Sequence, residues 1–148
     1  MEKGGKQIRY IHVTGKSSGM TREDAKLSVI RHATSKISSV ENIYHICSLG
    51  FRGEALPSIM SVSRTTITTR RAEDMEGTAI DVTGGAVEKI KGVGAPAGTT
   101  VEVRELFYNV PARKKFLKSE RMESSRINTM IGKLALANPD ISFTLINN

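Results

Sequence analysis

Gly84-Gly85 separates two short runs of strand character, Thr78 to Thr83 and Ala86 to Ile90, and no other stretch narrows the fold as far. A glycine pair accepts positive φ at both central positions of a two-residue turn, whose twist then matches that of the strands it joins. The pair therefore predicts a β-hairpin. Arg64 to Arg70 precedes it across the turn-forming Glu76-Gly77, and Thr99 to Arg104 follows it with Val101 and Val103 alternating inward. A strand is also expected from Ile8 to Val13, and Ile141 to Ile146 is expected to close the sheet. Helical spacing runs from Thr21 to about His32, with Ala25, Val29 and Ile30 on one face and a Thr-x-x-Asp cap through Asp24. Short helices are expected near Glu41 to Cys47 and from Glu54 to Met60, where Pro57 fits only the first turn. A long one runs from Ser119 to Ala137, placing Ile127, Met130, Ile131 and Leu134 on one stripe before Pro139 stops it. Contiguous strands flanked by helices predict an α+β two-layer sandwich, a mostly antiparallel sheet covered by helices.

The length of 148 residues suits one domain. No apolar run approaches the roughly 20 residues needed to span a bilayer, and Met1 to Lys6 lacks a signal-peptide core, so a soluble, cytoplasmic protein is expected. Cys47 is the only cysteine, which excludes an intrachain disulfide. His45-x-Cys47 on a helix would point to different sides, and His12 and His32 lack acidic or thiol partners at ligand spacing, so no metal site is expected. The net charge of +7 attracts polyanions without specifying which. Its distribution says more: Arg113, Lys114, Lys115, Lys118, Arg121 and Arg126 stand against only Glu120 and Glu123, while Arg70 and Arg71 end a strand elsewhere. Such a patch suits a phosphate backbone, and Arg113, Lys114, Lys115 and Lys118 are the DNA candidates. A solvated helix face is the plain alternative.

One loop carries more specific chemistry. Gly50-Phe51-Arg52-Gly53-Glu54-Ala55-Leu56 combines two permissive glycines, a cation and good helix formers, so that backbone N–H groups at a helix start can face an anion. Alone, a G-x-x-G is better read as an ordinary helix-capping loop. It is not alone. His32-Ala33-Thr34-Ser35-Lys36-Ile37 lies upstream; Gly98-Thr99-Thr100-Val101-Glu102-Val103 and Leu106-Phe107-Tyr108-Asn109-Val110-Pro111-Ala112-Arg113-Lys114-Lys115-Phe116-Leu117 lie downstream. In this order the runs resemble the MutL-type DNA mismatch repair proteins, whose N-terminal domain is an ATPase of the gyrase, heat-shock-90, histidine-kinase and MutL (GHKL) superfamily. The resemblance extends from about Glu2 to the chain end. It implies the GHKL fold, a nucleotide lid over about residues 33–56, and an ATP site formed by Gly19, Met20, Thr34, Ser35, Lys36, Gly50, Phe51, Arg52, Gly53, Glu54, Ala55, Thr99 and Thr100. It also implies magnesium held with ATP, and lid ordering that drives dimerisation around DNA alongside mismatch-recognition and other repair proteins.

Two departures from the family pattern bear on activity. The helix carrying the water-activating Glu and the magnesium-binding Asn does not open this sequence, nor is the second domain with its γ-phosphate lysine expected within it. Where the family has Asp-Asn-Gly-x-Gly, with the Asp accepting the adenine amino group, Val13-Thr14-Gly15-Lys16-Ser17-Ser18-Gly19-Met20 places Gly15 at the Asp. A hydrogen bond to a charged partner is worth about 1.5–3 kcal/mol, so its loss predicts nucleotide binding weakened about 10- to 150-fold. Weak binding without hydrolysis is the expectation, and no catalytic residue is assigned. A basic DNA-binding fragment indifferent to nucleotide is the alternative.

Gly15-Lys16-Ser17-Ser18-Gly19 also satisfies the G-x-S-x-G nucleophile elbow, making a serine hydrolase using Ser17 a remote rival. An elbow needs its helix directly behind the serine, whereas the best helix start here is Thr21. The same residues imitate the end of a P-loop, but Tyr10 occupies the position of its first glycine.

Overall fold

The computed structural model describes residues 9–30 and 54–147. They fall into two compact units, one from Arg9 to Pro111 and one from Ala112 onward, where length alone suggested a single domain.

The first unit is built on five strands: β1 (Tyr10–Gly15), β2 (Arg64–Arg70), β3 (Gly77–Thr83), β4 (Ala86–Val93) and β5 (Gly98–Arg104). They form one antiparallel sheet in the order β1-β5-β2-β3-β4. The expected hairpin is present. Thr83 pairs with Ala86, and Gly84 and Gly85 take φ values of 58° and 87°. Their N–H groups donate to the Ser63 and Met60 carbonyls, both at 3.0 Å, which ties the hairpin tip to the helix preceding β2. At the β4 edge the register slips between Asp81 and Val82, leaving Glu88 outside the pairing. Exposed Glu88, Lys89 and Lys91 blunt that edge against pairing with another chain.

Two helices cover one face. In α1 (Arg22–Ser28), Thr21 Oγ1 accepts the Asp24 N–H at 3.0 Å and donates to its carboxylate at 3.0 Å, which is the predicted cap. The helix is shorter than expected. Ile30 N–H turns back to the Leu27 carbonyl at 3.0 Å, and the closed turn leaves Ile30 54% exposed while Val29 still packs on the core. In α2 (Ala55–Met60), Pro57 sits in the first turn and is buried with Met60. Strand β2 alternates strictly, with Thr65, Ile67 and Thr69 buried. Ile67 pairs with Ile80 on one side and Val101 on the other, and with Ala25, Met60 and Val82 it forms the core.

After β5 the chain turns sharply, with Glu105 and Phe107 at φ 52° and 63°. Phe107 N–H donates to the Val62 carbonyl at 2.7 Å and Asn109 Nδ2 to that of Ser61 at 2.9 Å. Arg64 donates to Glu105 at 2.6 Å and lies over the Tyr108 ring.

The second unit holds α3 (Pro111–Phe116) and α4 (Glu120–Ala137). Ser119 caps α4 by accepting the Met122 N–H, and Glu123 reaches back to the Lys118 N–H at 2.9 Å, a reciprocal cap. Of the predicted stripe, Ile127, Ile131 and Leu134 are half-buried, but Met130 is 62% exposed. The expected strand at Ile141 to Ile146 does not form. The segment is exposed, and the sheet consists wholly of residues of the first unit. Alternating side chains make a segment compatible with a sheet, but a strand exists only where an edge accepts its hydrogen bonds. The expected helix near Glu41 to Cys47 lies outside the described residues.

Candidate functional site

Beside the sheet, where β1 ends and β5 begins, the chain makes two close backbone approaches that only glycine permits. Gly19 has φ +73°, and a Cβ there would run into the Arg70 carbonyl. Gly98 has φ +123°, and a Cβ there would run into the Gly15 carbonyl. Between these approaches lies a cluster of hydroxyls. Thr69, 1% exposed, receives the Met20 N–H at 2.9 Å, sits 2.9 Å from Thr99 Oγ1 and donates to the Gly98 carbonyl at 3.2 Å. Ser17 Oγ reaches Thr99 Oγ1 at 3.4 Å and receives the Gly19 N–H at 3.4 Å. Gly15 pairs with Thr99 and so shares its face of the sheet. Its φ is not positive and, among the described residues, nothing lies within 4 Å of where its Cβ would be. Neither its φ nor any described neighbour requires glycine there.

Gly19, Met20 and Thr99 are thus brought together. Thr100 is not: it lies on the opposite face, 2.9 Å from Thr14 Oγ1, because successive strand residues alternate sides. Glu54 and Ala55 stand at the start of α2, Glu54 half-buried and Ala55 exposed. Thr34, Ser35, Lys36, Gly50, Phe51, Arg52 and Gly53 lie outside the described residues. The sequence reading missed Thr69, although the inward alternation of β2 through Ile67 was the signal for it.

Ser17 does not sit in a nucleophile elbow. Helix α1 begins only at Arg22, and Ser17 bonds to Thr99 and Gly19. The described histidine, His12, lies on the other face of the sheet. There Tyr10 OH donates to Glu102 at 2.5 Å, leaving its oxygen to accept from His12 Nδ1 at 2.8 Å, and His12 Nε2 lies 2.7 Å from Thr14 Oγ1. Among the described residues no group of three or more His, Cys, Asp or Glu gathers to hold a metal, and no helix is long and apolar enough to cross a membrane.

The Tyr10 hydrogen bond, with Arg104 and His12 nearby, holds the Glu102 carboxyl below its ordinary range and raises the Tyr10 phenol. Arg71, bonded at 2.7 and 2.9 Å, lowers Asp74 in the same way. A carboxylate whose folded pKa is depressed stabilises the fold fully above its unfolded pKa, about 4, and loses that contribution as pH falls through the lower folded value. The urea midpoint is therefore expected to hold from pH 7 to about pH 5 and then to fall. Glu102→Gln should flatten that fall, and an equally steep fall in the variant would remove Glu102 as a cause.

In the second unit, Arg113, Lys115, Lys118 and Arg121 are exposed and Lys114 is half-buried. Arg126 faces Glu123 at 3.7 Å. The basic run therefore presents most of its cations outward from α3, the α3–α4 connection and the start of α4.

No family model matches the chain. The DNA mismatch repair protein MutL of Clostridium acetobutylicum is 51% identical to it over 148 residues, which is 100% of this chain and 24% of that protein. MutL of Citrifermentans bemidjiense is 46% identical, again over 100% of this chain and 23% of the relative. The chain spans about a quarter of the length of these curated relatives. Among solved structures, the Aquifex aeolicus MutL ATPase domain complexed with ADP superposes with a TM-score of 0.71 at 35% identity, covering 93% of this chain and 48% of that one. A further structure of the Aquifex aeolicus MutL ATPase domain gives 0.70 at 34%, covering 95% and 46%. Identity at this level along the whole chain, on the same α+β fold, matches the chain to the ATPase-domain region of the MutL DNA mismatch repair proteins.

Proposed function

We propose that the chain is part of a MutL-type nucleotide-binding domain that binds ATP weakly and does not hydrolyse it, within a protein whose nucleotide state controls dimerisation and DNA engagement during mismatch repair. The hydroxyl cluster of Ser17, Thr69 and Thr99 supports this reading above all, lying beside the close approaches of Gly19 and Gly98 in a fold shared with an ADP-complexed domain. The residues present fit a polar ligand: hydroxyls offer hydrogen bonds, and no described residue fills the space beside Gly15. Nucleotide would supply phosphates for a metal ion and for the lid. On the family resemblance, Thr34, Ser35, Lys36 and Gly50 to Ala55 take those phosphates. Thr99 and Met20 orient the base end, while Gly19 and Gly98 hold the two loops close enough to do so.

A two-dimensional amide NMR titration with magnesium-ATP tests this. Shifts are expected at residues 17–20, 69, 98–99, 34–36 and 50–55, with no phosphate release above buffer. Dispersed peaks that ignore ATP would sink the reading. Phosphate release surviving both Lys36→Ala and Arg52→Ala would count against the assigned site.

The basic run supports a DNA-binding surface in the same protein. Combined replacement of Lys114, Lys115 and Lys118 by alanine is expected to weaken binding to duplex DNA. It should also reduce the slope of log K against log salt by roughly 0.9 for each phosphate that is no longer neutralised. Anisotropy titrations at several salt concentrations read both quantities, and an unchanged slope would leave the run a solvated surface. Binding that is salt-sensitive but indifferent to ATP would favour a nucleotide-independent DNA-binding role.

A further inference from the structure

We infer that two copies of this chain associate by strand exchange, residues 141–146 of each copy adding to the open edge of β1 in the other. Both halves of that interface are present in one chain. Strand β1 is an end strand of the sheet, and among the described residues its backbone pairs with β5 alone. A strand with one side unpaired presents a row of N–H and C=O groups ready for a further strand. The two ends of the sheet are not alike. At β4 the register slip and the exposed Glu88, Lys89 and Lys91 oppose pairing. Tyr10-Ile11-His12-Val13-Thr14-Gly15 carries no Lys, Arg, Asp, Glu or Pro, and it stays in unbroken register with β5.

The side chains of β1 leave a place for a neighbour. Ile11 pairs with Val103 and Val13 with Val101, so both lie on the face of the sheet that carries the core. Val103 is 7% exposed, whereas Val13 on the end strand is 61% exposed. An apolar side chain on a further strand would cover it.

Ile141-Ser142-Phe143-Thr144-Leu145-Ile146 is the complement. It equals β1 in length, has no charge, Pro or Gly, and is rich in residues that favour strands. Ile141, Phe143 and Leu145 alternate onto one side and are 56%, 37% and 43% exposed. Beyond the Ile141 N–H, which returns to the Asn138 carbonyl at 3.1 Å, the backbone of the segment makes no hydrogen bond to a described residue. Pairing of like with like, β1 on β1 or segment on segment, would leave the other element unsatisfied. Exchange satisfies both, and does so twice across a two-fold axis. It needs no nucleotide and does not rest on the nucleotide-binding reading above.

Sedimentation velocity of the full 148-residue chain in nucleotide-free buffer tests the exchange, and a concentration-dependent dimer is expected. Val13→Lys puts a charge on the open edge, and Phe143→Lys puts one on the added strand. Each should weaken the dimer by about 10- to 150-fold, the equivalent of burying one such apolar side chain. An equimolar mixture of the two variants should regain association, because the segment of the first and the edge of the second are intact. A monomeric unsubstituted chain overturns the inference, and so does a mixture no more associated than its components. Undiminished dimerisation of Phe143→Lys would mean that β1 pairs with β1, and undiminished dimerisation of Val13→Lys that residues 141–146 pair with themselves; either overturns it. Should Val13→Lys not fold, a synthetic peptide of residues 139–148 added to Phe143→Lys decides the matter. Amide shifts at Tyr10–Gly15 are then expected, and their absence overturns the inference.

Discussion

Ile67→Ala is expected to lower the unfolding free energy by about 2–5 kcal/mol, the usual range for removing a buried Ile side chain and leaving a cavity. Ile67 is fully buried at the centre of the sheet, paired with Ile80 and Val101 and packed with Met60 and Ala25 under the covering helices. Neighbouring strands hold their backbones in hydrogen-bonded register, so the site has little freedom to collapse into the space left behind. Set against a typical total stability of about 5–15 kcal/mol, a loss of this size is a large fraction. The urea midpoint should fall by an amount on the order of 1–3 M. Ile30→Ala, at a position 54% exposed beyond the end of α1, is the control and should change stability by no more than about 0.5 kcal/mol. A change of similar size in both variants would mean that the core is not centred on β2.

Gly98→Ala should be nearly as damaging, for a different reason. At φ +123° an L side chain is strained, which costs about 1–3 kcal/mol. Its Cβ would also collide with the Gly15 carbonyl and press on Lys16 Cα at 3.4 Å, adding about 1–3 kcal/mol of overpacking unless the backbones part. If they part, the end of β1 separates from β5 and Thr99 loses its place beside Thr69. On the proposed nucleotide-binding role, the variant should therefore lose nucleotide-induced shifts at residues 17–20 and 98–99 as well as stability. Gly94→Ala provides the contrast, with no described residue within 4 Å and no positive φ. It should be neutral or stabilising by up to about 1 kcal/mol, through the unfolded chain alone. Thermal unfolding of the pair checks the difference, and equal melting temperatures would refute the close approach at Gly98.

Much of this architecture was legible in short stretches of sequence, and the reasons are local. Thr21 and Asp24 are three residues apart, so their cap closes without help from the rest of the chain. Ser119 and Pro139 bracket α4 in the same way. Gly84-Gly85 specified its hairpin because two consecutive positive φ values are cheap for glycine and for almost nothing else. Elements that needed a distant partner were harder to read. Ile141 to Ile146 alternates as a strand should, yet no described edge pairs with it. Ile30 has helical spacing, but the helix ends before that spacing matters. Helix α3 escaped notice although Pro111 at its first position is a recognised start signal.

The candidate site divides along the same line. Gly19, Met20 and Thr99 were readable from motif spacing, whereas Thr69 had no motif to announce it and Thr100 was grouped with its neighbour by adjacency in sequence. Only strand register separates them: β5 turns Thr99 toward Thr69 and Thr100 toward Thr14. By itself the sequence determined the caps, the hairpin, the family resemblance and the basic run, because these depend on residues a few positions apart or on direct likeness. Tertiary structure decided the strand order and which hydroxyls meet, because each of these depends on segments far apart in the chain being brought into register.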